Sequence, residues 1–235
     1  MPDLDVTLPL DVVKYDEQTL VIEDNGVRCL LFVGSERALL VDTGFGNAGS
    51  LKELVLSLTD KPLMVLISHA DPDHLGCASE FGSIHIHPND IDRFRGFSSA
   101  DVQINAIGDG EVIDIGGRSF EVVLIPGHTL GSIALLDRGN RLLVVGDSVS
   151  AGPVFMFGEG RSFDAYMASM ERLIALKGEF DDIFPSHGPL PIPAGQIDKA
   201  LAAAKKLLAG ELSPQEPPFP LPAKMYMHEG AGFFC

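Results

Sequence analysis

The densest group of residues with metal-binding chemistry is the segment His69-Ala70-Asp71-Pro72-Asp73-His74. It places two imidazoles and two carboxylates within six residues, and its proline interrupts regular structure. Four ionisable groups that converge without a cation suffer desolvation and mutual repulsion. A divalent cation removes that cost, and imidazole nitrogen with carboxylate oxygen suits zinc, iron or manganese. The segment therefore predicts a metal site, the alternative being a solvated acidic turn.

Four other short segments carry isolated ionisable residues directly after apolar runs. They are Val41-Asp42-Thr43-Gly44, Pro126-Gly127-His128-Thr129, Gly146-Asp147-Ser148 and Ser186-His187-Gly188. Continuous apolar runs of this kind are typical of buried strands, so each segment is predicted to be a loop at a strand end. A rigid scaffold presents its reactive groups on such loops. The five segments together favour one shared site over a solvated turn.

The order of these segments resembles that of the metallo-β-lactamase superfamily. The usual pattern there is His-x-His-x-Asp-His, followed by a lone His, a lone Asp and a final His. The resemblance covers about residues 20–190, and five motifs in the right order make it specific. It implies a mixed α/β (α+β) fold, the four-layer αββα sandwich, with two metal ions at one edge.

The resemblance also implies a role for each matching residue. One metal ion would be held by His69, Asp71 and His128, the other by Asp73, His74 and His187, and both by a bridging Asp147. Asp42 would orient ligands through hydrogen bonds without binding metal. Thr129, Gly131 and Ser132 would shape the turn that follows His128.

The sequence departs from the usual pattern at Asp71, where relatives carry a histidine. A carboxylate is harder and negatively charged, which shifts the preference of the first site from zinc toward iron or manganese. We predict two divalent ions, with zinc as the first choice and iron or manganese as alternatives. Flavodiiron proteins of the same superfamily place a glutamate here, but they also carry a flavodoxin-like domain, for which 235 residues leave no room.

The implied chemistry is hydrolysis. Two ions that share a water lower its pKa from ~15.7 to about 7, and the hydroxide attacks a small ester, thioester, lactone or amide. Asp73 would be the catalytic residue that orients the hydroxide and accepts its proton. Two alternatives stay open: a di-iron oxidoreductase acting on oxygen or nitric oxide with electrons from a separate partner, and a non-catalytic binding protein on the same fold. Six of seven ligand positions match the usual pattern, which favours the hydrolase.

Strands and helices must position these loops. The predicted strands are Val6–Val13, Thr19–Glu23, Val27–Val33, Arg37–Val41, Leu63–Ile67, Ile84–Ile86, Glu111–Ile115, Ser119–Ile125, Ser132–Leu136 and Leu142–Val145. The predicted helices, from apolar residues at helical spacing, are Ala48–Leu58, Phe163–Lys177 and Ala194–Ala209. Asp24-Asn25-Gly26 reads as a hairpin turn because Asn-Gly tolerates positive φ. Residues 1–210 are predicted to form one metallo-β-lactamase-like domain, followed at 211–235 by a proline-rich segment and an apolar tail.

The remaining histidines are weaker candidates. His85 and His87 alternate in a predicted strand, so they would share one face as a ligand pair, or else face solvent or cap a helix. His228, in the tail, is also a weak ligand candidate. The loop 151–162 is apolar and glycine-bearing, which favours a small, partly hydrophobic substrate. Within it, Phe155, Met156 and Phe157 could line a substrate pocket or pack in the core.

Composition limits the partners. The chain has 17 Lys and Arg against 33 Asp and Glu, a net charge of −16, which repels nucleic acid and anionic lipid. It contains no apolar run of about 20 residues and does not begin with a signal-peptide pattern. We expect a cytoplasmic protein that binds a small-molecule substrate, with homo-oligomerisation left open. Cys29, Cys77 and Cys235 are predicted to be free thiols.

Overall fold

The computed structural model describes residues 10–99 and 101–235. These described residues form two compact units, divided between Ser119 and Phe120. The first unit contains β1 (Asp11–Lys14), β2 (Thr19–Asp24), β3 (Val27–Val33), β4 (Ala38–Val41), α1 (Leu51–Leu58), β5 (Leu63–Leu66), β6 (Ser83–Ile86), α2 (Ile91–Phe97), β7 (Gln103–Ala106) and β8 (Val112–Asp114). Strands β1 to β7 form one sheet in chain order. The sheet is antiparallel from β1 to β4 and parallel from β4 to β7.

The second unit contains eight strands, which belong to two sheets, and two helices. Its elements are β9 (Ser119–Leu124), β10 (Ile133–Asp137), β11 (Leu142–Gly146), β12 (Pro153–Phe155), α3 (Phe163–Ala175), β13 (Asp182–Pro185), β14 (Ile192–Pro193), α4 (Gln196–Leu208), β15 (Met225–His228) and β16 (Ala231–Phe234). Strands β14, β13, β11, β10 and β9 are neighbours in that order. Strands β12, β16 and β15 form a small separate sheet.

Each unit has its own apolar core. In the first, alternate residues of β2 to β6 pack against Leu51 and Val55 of α1 and Phe94 of α2. In the second, β9 to β11 pack against α3 and α4, with Tyr166 and Phe233 fully buried among them. Continuous burial of β4, β10 and β11 agrees with the apolar runs from which these strands were predicted.

Local sequence signals explain several boundaries. Asn25 and Gly26 both have positive φ, and Asp24 pairs with Val27, so the predicted two-residue hairpin is confirmed. Ser162 caps α3, because its side chain accepts a hydrogen bond from the Ala165 amide. Helix α1 begins at Leu51 and not at the predicted Ala48, since Ser50 caps it by accepting from the Glu53 amide.

Some predicted bounds differ from the structure. Strand β1 covers Asp11–Lys14, while residues 6–9 of the predicted strand lie outside the described part of the chain. Helix α2 and strand β7 were not predicted, because both are short. The apolar tail is not an unstructured extension: β15 and β16 form a hairpin, and β16 pairs in parallel with β12.

Two further predictions, on membrane-spanning segments and on the cysteines, can be compared with the structure. None of the helices in the described residues has both the length and the apolar character that crossing a membrane requires. The three cysteines are free thiols, as predicted. Burial raises the pKa of the Cys77 thiol to about 12, and the nearby Glu80 carboxylate adds to this effect, so Cys77 is a packing residue and not a nucleophile.

Candidate metal centre

The ligand loop of the first unit follows β5. Pro72 begins a single 3₁₀ turn, Pro72–His74. This turn brings the side chain of His74 close to that of His69. His69 Nε2 lies 3.8 Å from Asp71 Oδ2, and His74 Nε2 lies 3.6 Å from Asp73 Oδ2. The two imidazole centroids are 4.0 Å apart. The structure therefore gathers all four predicted ligands of this segment.

Asp42 holds this loop from the end of β4. Its Oδ2 accepts hydrogen bonds from the Ser68 hydroxyl at 2.7 Å and His74 Nδ1 at 2.8 Å, and its Oδ1 accepts from the Ser68 amide at 2.7 Å. The parallel pairing of β4 with β5 makes this contact possible, because both strands end at the same edge of the sheet. The next residue, Thr43, donates its amide and its hydroxyl to the His74 carbonyl.

Asp42, His69 and His74 also offer atoms close enough to bind a cation together. We assign Asp42 the orienting role, since both of its oxygens already accept hydrogen bonds from Ser68 and His74. Asp42 has φ 65°, a left-handed conformation that is uncommon outside glycine. Strained backbone of this kind clusters at functional sites.

A residue that the sequence did not predict, Arg93, contacts Asp71. Its Nη2 and Nε lie 2.6 and 3.0 Å from Asp71 Oδ1. The guanidinium also lies over the Phe97 ring, 5.0 Å from its centroid. At the start of the same helix, α2, Asp90 accepts a hydrogen bond from the Ala70 amide at 2.8 Å. Helix α2 is thus joined to two consecutive residues of the ligand loop.

Three predicted ligands belong to the second unit. Asp147 follows β11 and His187 follows β13, and these strands are parallel neighbours whose ends Gly146 and Pro185 are in register. Asp147 Oδ2 lies 3.4 Å from His187 Nε2 and 3.8 Å from His128 Nε2. Asp147 is therefore the common neighbour of the two imidazoles, the place expected of a bridging ligand.

His128 is fixed by its surroundings. Its Nδ1 lies 2.9 Å from the Phe155 carbonyl of β12, and its own carbonyl accepts a hydrogen bond from Arg161. The structure confirms that Thr129 and Ser132 shape the turn after His128. The Thr129 amide donates a hydrogen bond of 3.0 Å to the Ser132 hydroxyl, and the two hydroxyls are 2.7 Å apart.

The donor set fits a metal ion. Three imidazoles have Nδ1 within hydrogen-bond distance of a fixed oxygen, which directs Nε2 toward a carboxylate. These pairs are His69 with Ser68, His74 with Asp42, and His128 with Phe155. The Nε2 to carboxylate distances of 3.4 to 3.8 Å are close to the edge of a coordination tetrahedron with bonds of 2.0–2.2 Å, roughly 3.3–3.6 Å.

The weaker candidates lie elsewhere. His85 Nδ1 is 3.2 Å from the Val65 carbonyl. His87 caps the turn before α2 by accepting a hydrogen bond from the Asn89 amide, which is the capping role considered for it. His228 Nε2 is 3.8 Å from Glu229. These contacts give none of the three a ligand role.

Four aromatic rings form a group at β12, the strand whose Phe155 carbonyl contacts His128. The Phe155 ring centroid is 4.8, 5.8 and 6.4 Å from those of Phe234, Phe157 and Phe219, in that order. Phe219 is 46% exposed, while Phe234 belongs to the C-terminal hairpin. We call these four residues the aromatic group. Loop 151–162 was predicted to be apolar, but the contribution of residues 219 and 234 depends on the tail hairpin and was missed.

Comparisons with known proteins agree with these observations. A family model described as the metallo-beta-lactamase superfamily matches residues 22–209. The acyl-coenzyme A thioesterase MBLAC2 of Homo sapiens is 27% identical over 218 residues, which cover 75% of this chain and 78% of that protein. Hydroxyacylglutathione hydrolase of Ectopseudomonas mendocina is 31% identical over 116 residues, 48% of this chain and 43% of that protein.

A solved structure resembles the fold. A metallo-beta-lactamase from Pontibacter korlensis has a TM-score of 0.69 and 19% identity, and the match covers 83% of this chain and 99% of that one. The predicted fold class is therefore confirmed.

Proposed function

Since this chain belongs to the metallo-β-lactamase superfamily, we propose that it is a metal-dependent hydrolase of a small acyl thioester. The chain is an enzyme of the hydrolase class, as are both named relatives, one of which is named as a thioesterase. Among the ester, thioester, lactone and amide substrates that the sequence leaves open, these relatives favour the thioester.

The proposed centre contains all seven predicted ligands. His69, Asp71 and His128 would hold one ion, Asp73, His74 and His187 the other, and Asp147 both. The observation that carries the proposal is the anchoring of three imidazoles through Nδ1, which commits each Nε2 to a neighbouring carboxylate oxygen. Fixed orientation of this kind is what metal-ligating histidines require.

When bound, the metal ions supply the Lewis acidity that acidifies water and polarises the substrate carbonyl. Asp73, whose side chain is 22% exposed, is the proposed catalytic base: it orients the water and accepts its proton. The water oxygen forms a bond to the carbonyl carbon, the C–S bond breaks, and the sulfur takes the proton from Asp73. The products are a carboxylic acid and a thiol, so no oxidant or reductant is needed.

The aromatic group supports an apolar acyl portion for the substrate. Phe155 contributes both a ring to this group and the carbonyl that orients His128. An acyl chain lying against these rings would therefore end near the reacting centre. The exposed ring of Phe219 offers area that an alkyl or aryl chain removes from water.

The proposal is tested by metal analysis and substrate comparison on one preparation. Protein purified anaerobically without chelators is expected to contain close to two transition-metal ions per chain. It should hydrolyse an acyl thioester faster than the matched oxygen ester, lactone and amide, and lose this activity on chelation. Fewer than one ion per chain, or activity that survives chelation, would overturn the proposal.

The di-iron oxidoreductase alternative is separated by a further measurement. Protein loaded with iron is supplied with an artificial reductant, and oxygen consumption is followed alongside thioester cleavage. A hydrolase cleaves the thioester with zinc and without reductant, since zinc has no redox chemistry. Oxygen consumption with iron alone, without hydrolysis by either metal form, would favour the oxidoreductase.

A further inference from the structure

We propose that Arg93 is a positioning residue that pairs with Asp71. The two side chains together act as a metal ligand with no net charge. The inference rests on the proposed metal centre and explains how a carboxylate can stand where relatives place a neutral imidazole. Neither Arg93 nor helix α2 belongs to the motif by which the ligands were found.

The two oxygens of Asp71 face different partners. Arg93 Nη2 and Nε lie 2.6 and 3.0 Å from Oδ1. The other oxygen, Oδ2, is the one that lies 3.8 Å from His69 Nε2. The guanidinium therefore contacts Oδ1, and Oδ2 lies beside the imidazole, which suits a carboxylate that binds a cation through Oδ2.

The guanidinium is itself held in place. It lies over the Phe97 ring, one helical turn further along α2. One turn in the other direction, Asp90 accepts from the Ala70 amide. Helix α2 thus fixes the backbone at Ala70 and the side chain at Asp71 from one face. The ion pair is largely shielded, since the Arg93 and Asp71 side chains are 22% and 11% exposed.

Charge completes the argument. A neutral histidine adds no charge to a cation site, whereas a lone aspartate adds one negative charge. Arg93 carries one positive charge at every physiological pH, so the Asp71–Arg93 pair adds none. Asp71 shared with a guanidinium donates less charge to a cation than a lone carboxylate does. The metal site that includes Asp71 should therefore favour iron or manganese over zinc less strongly than it would if Asp71 had no guanidinium beside it.

The pairing makes Asp71→His and Arg93→Met interdependent. In Asp71→His, the new imidazole faces a guanidinium whose carboxylate has been removed, so a cation is repelled. In Arg93→Met, the carboxylate loses its fixed orientation. The double variant removes both charges and restores the usual neutral histidine. We expect each single change to weaken zinc binding at one site by about 10–100-fold, and the double variant to bind zinc more tightly than Asp71→His alone.

The experiment is a competition titration of zinc against a chromophoric chelator, run on wild type, both single variants, the double variant and Arg93→Lys. Arg95→Met is the matched control, because Arg95 is an exposed arginine on the same helix. Thermal unfolding of the metal-free proteins measures any purely structural role. Arg93→Lys keeps the charge without the two-point contact, and should recover part of the affinity.

The outcomes distinguish this inference from the proposed function. Additive losses in the double variant, or zinc binding unchanged in Arg93→Met while its melting temperature falls, would overturn the role of Arg93 and leave the hydrolase proposal standing. A wild-type protein that binds no zinc, iron or manganese in the same titration would overturn both.

Discussion

Asp42 and His74 are joined by a hydrogen bond of 2.8 Å between Oδ2 and Nδ1, and both side chains are almost completely buried. The contact links the end of β4 to the last residue of the ligand loop. It fixes the imidazole with Nε2 turned toward Asp73. A carboxylate in this position also raises the basicity of the ligand nitrogen.

Asp42→Asn tests that relationship with little change to the backbone. Asparagine accepts the left-handed conformation that Asp42 adopts, so the substitution removes charge without adding strain. Metal affinity is expected to fall about 10–100-fold, measured by competition titration. Ser68→Ala removes a neighbouring donor but keeps the carboxylate, and should have the smaller effect. Equal effects in the two variants would contradict an orienting role for Asp42.

Asp147→Ala tests the common neighbour of His128 and His187. Removal of the carboxylate takes away the negative charge that both imidazoles face, so at least one metal ion per chain should be lost together with hydrolysis. The metal-free fold should persist, because Asp147 lies on a loop while the core of its unit lies among β9–β11, α3 and α4. Elemental analysis and circular dichroism check the two expectations. Wild-type metal content would remove Asp147 from the centre.

Gly127→Ala tests the backbone that presents His128. Gly127 has φ 143°, and an added Cβ would lie 2.5 Å from the Tyr166 Cα. Since helix backbone cannot move away at low cost, we expect a loss of about 1–3 kcal/mol in the free energy of unfolding and weaker metal binding. Gly178→Ala is the control, because its added Cβ has no neighbour within 4 Å. Similar urea midpoints for the two variants would refute the steric argument.

Phe219→Ala tests whether the aromatic group contacts the acyl chain. Loss of the exposed ring should raise KM for long-chain thioesters by about 3–10-fold and leave KM for a two-carbon acyl group unchanged. Leu208→Ala, a change at an exposed apolar residue of α4, should affect neither substrate. A KM that changes equally for short and long chains would place the acyl group elsewhere.

The sequence singles out the candidate ligands because each segment that contains them follows an apolar run that forms a buried strand. It does not show which strands are neighbours, so the contact of Asp42 with His74 and that of Asp147 with His187 needed the parallel pairings β4–β5 and β11–β13. Arg93 could not be predicted from periodicity, since α2 has seven residues and includes a glycine. Its contact with Asp71 spans 22 positions and depends on how α2 packs.

The C-terminal tail shows the same limit. Strands β15 and β16 have four residues each, too few for an alternation pattern to be distinctive. The pairing of β16 with β12 brings Phe234 to Phe155, so the tail contributes to the surroundings of His128. The division of the chain into a 1–210 domain and a 211–235 tail stays a prediction.

His87 gives a pH dependence that is independent of the metal ligands. Burial lowers the pKa of His87, while the carboxylates of Asp90 and Asp109 partly oppose the shift. Its Nδ1 accepts a hydrogen bond from the Asn89 amide, which requires an unprotonated nitrogen. Above the ordinary pKa of about 6.5, the residue is neutral in both folded and unfolded chains, and the cap contributes fully.

As the pH falls below about 6.5, the unfolded chain binds a proton at this histidine before the folded chain does, so the free energy of unfolding decreases. His87→Asn keeps a side chain that can cap the turn but cannot titrate. We expect wild type to lose more stability than this variant between pH 7.5 and 5.5, measured by urea unfolding of the metal-loaded proteins. Because the other histidines are common to both proteins, their effects cancel in the difference. Stability curves that run parallel over this interval would show that His87 titrates alike in the folded and unfolded chain.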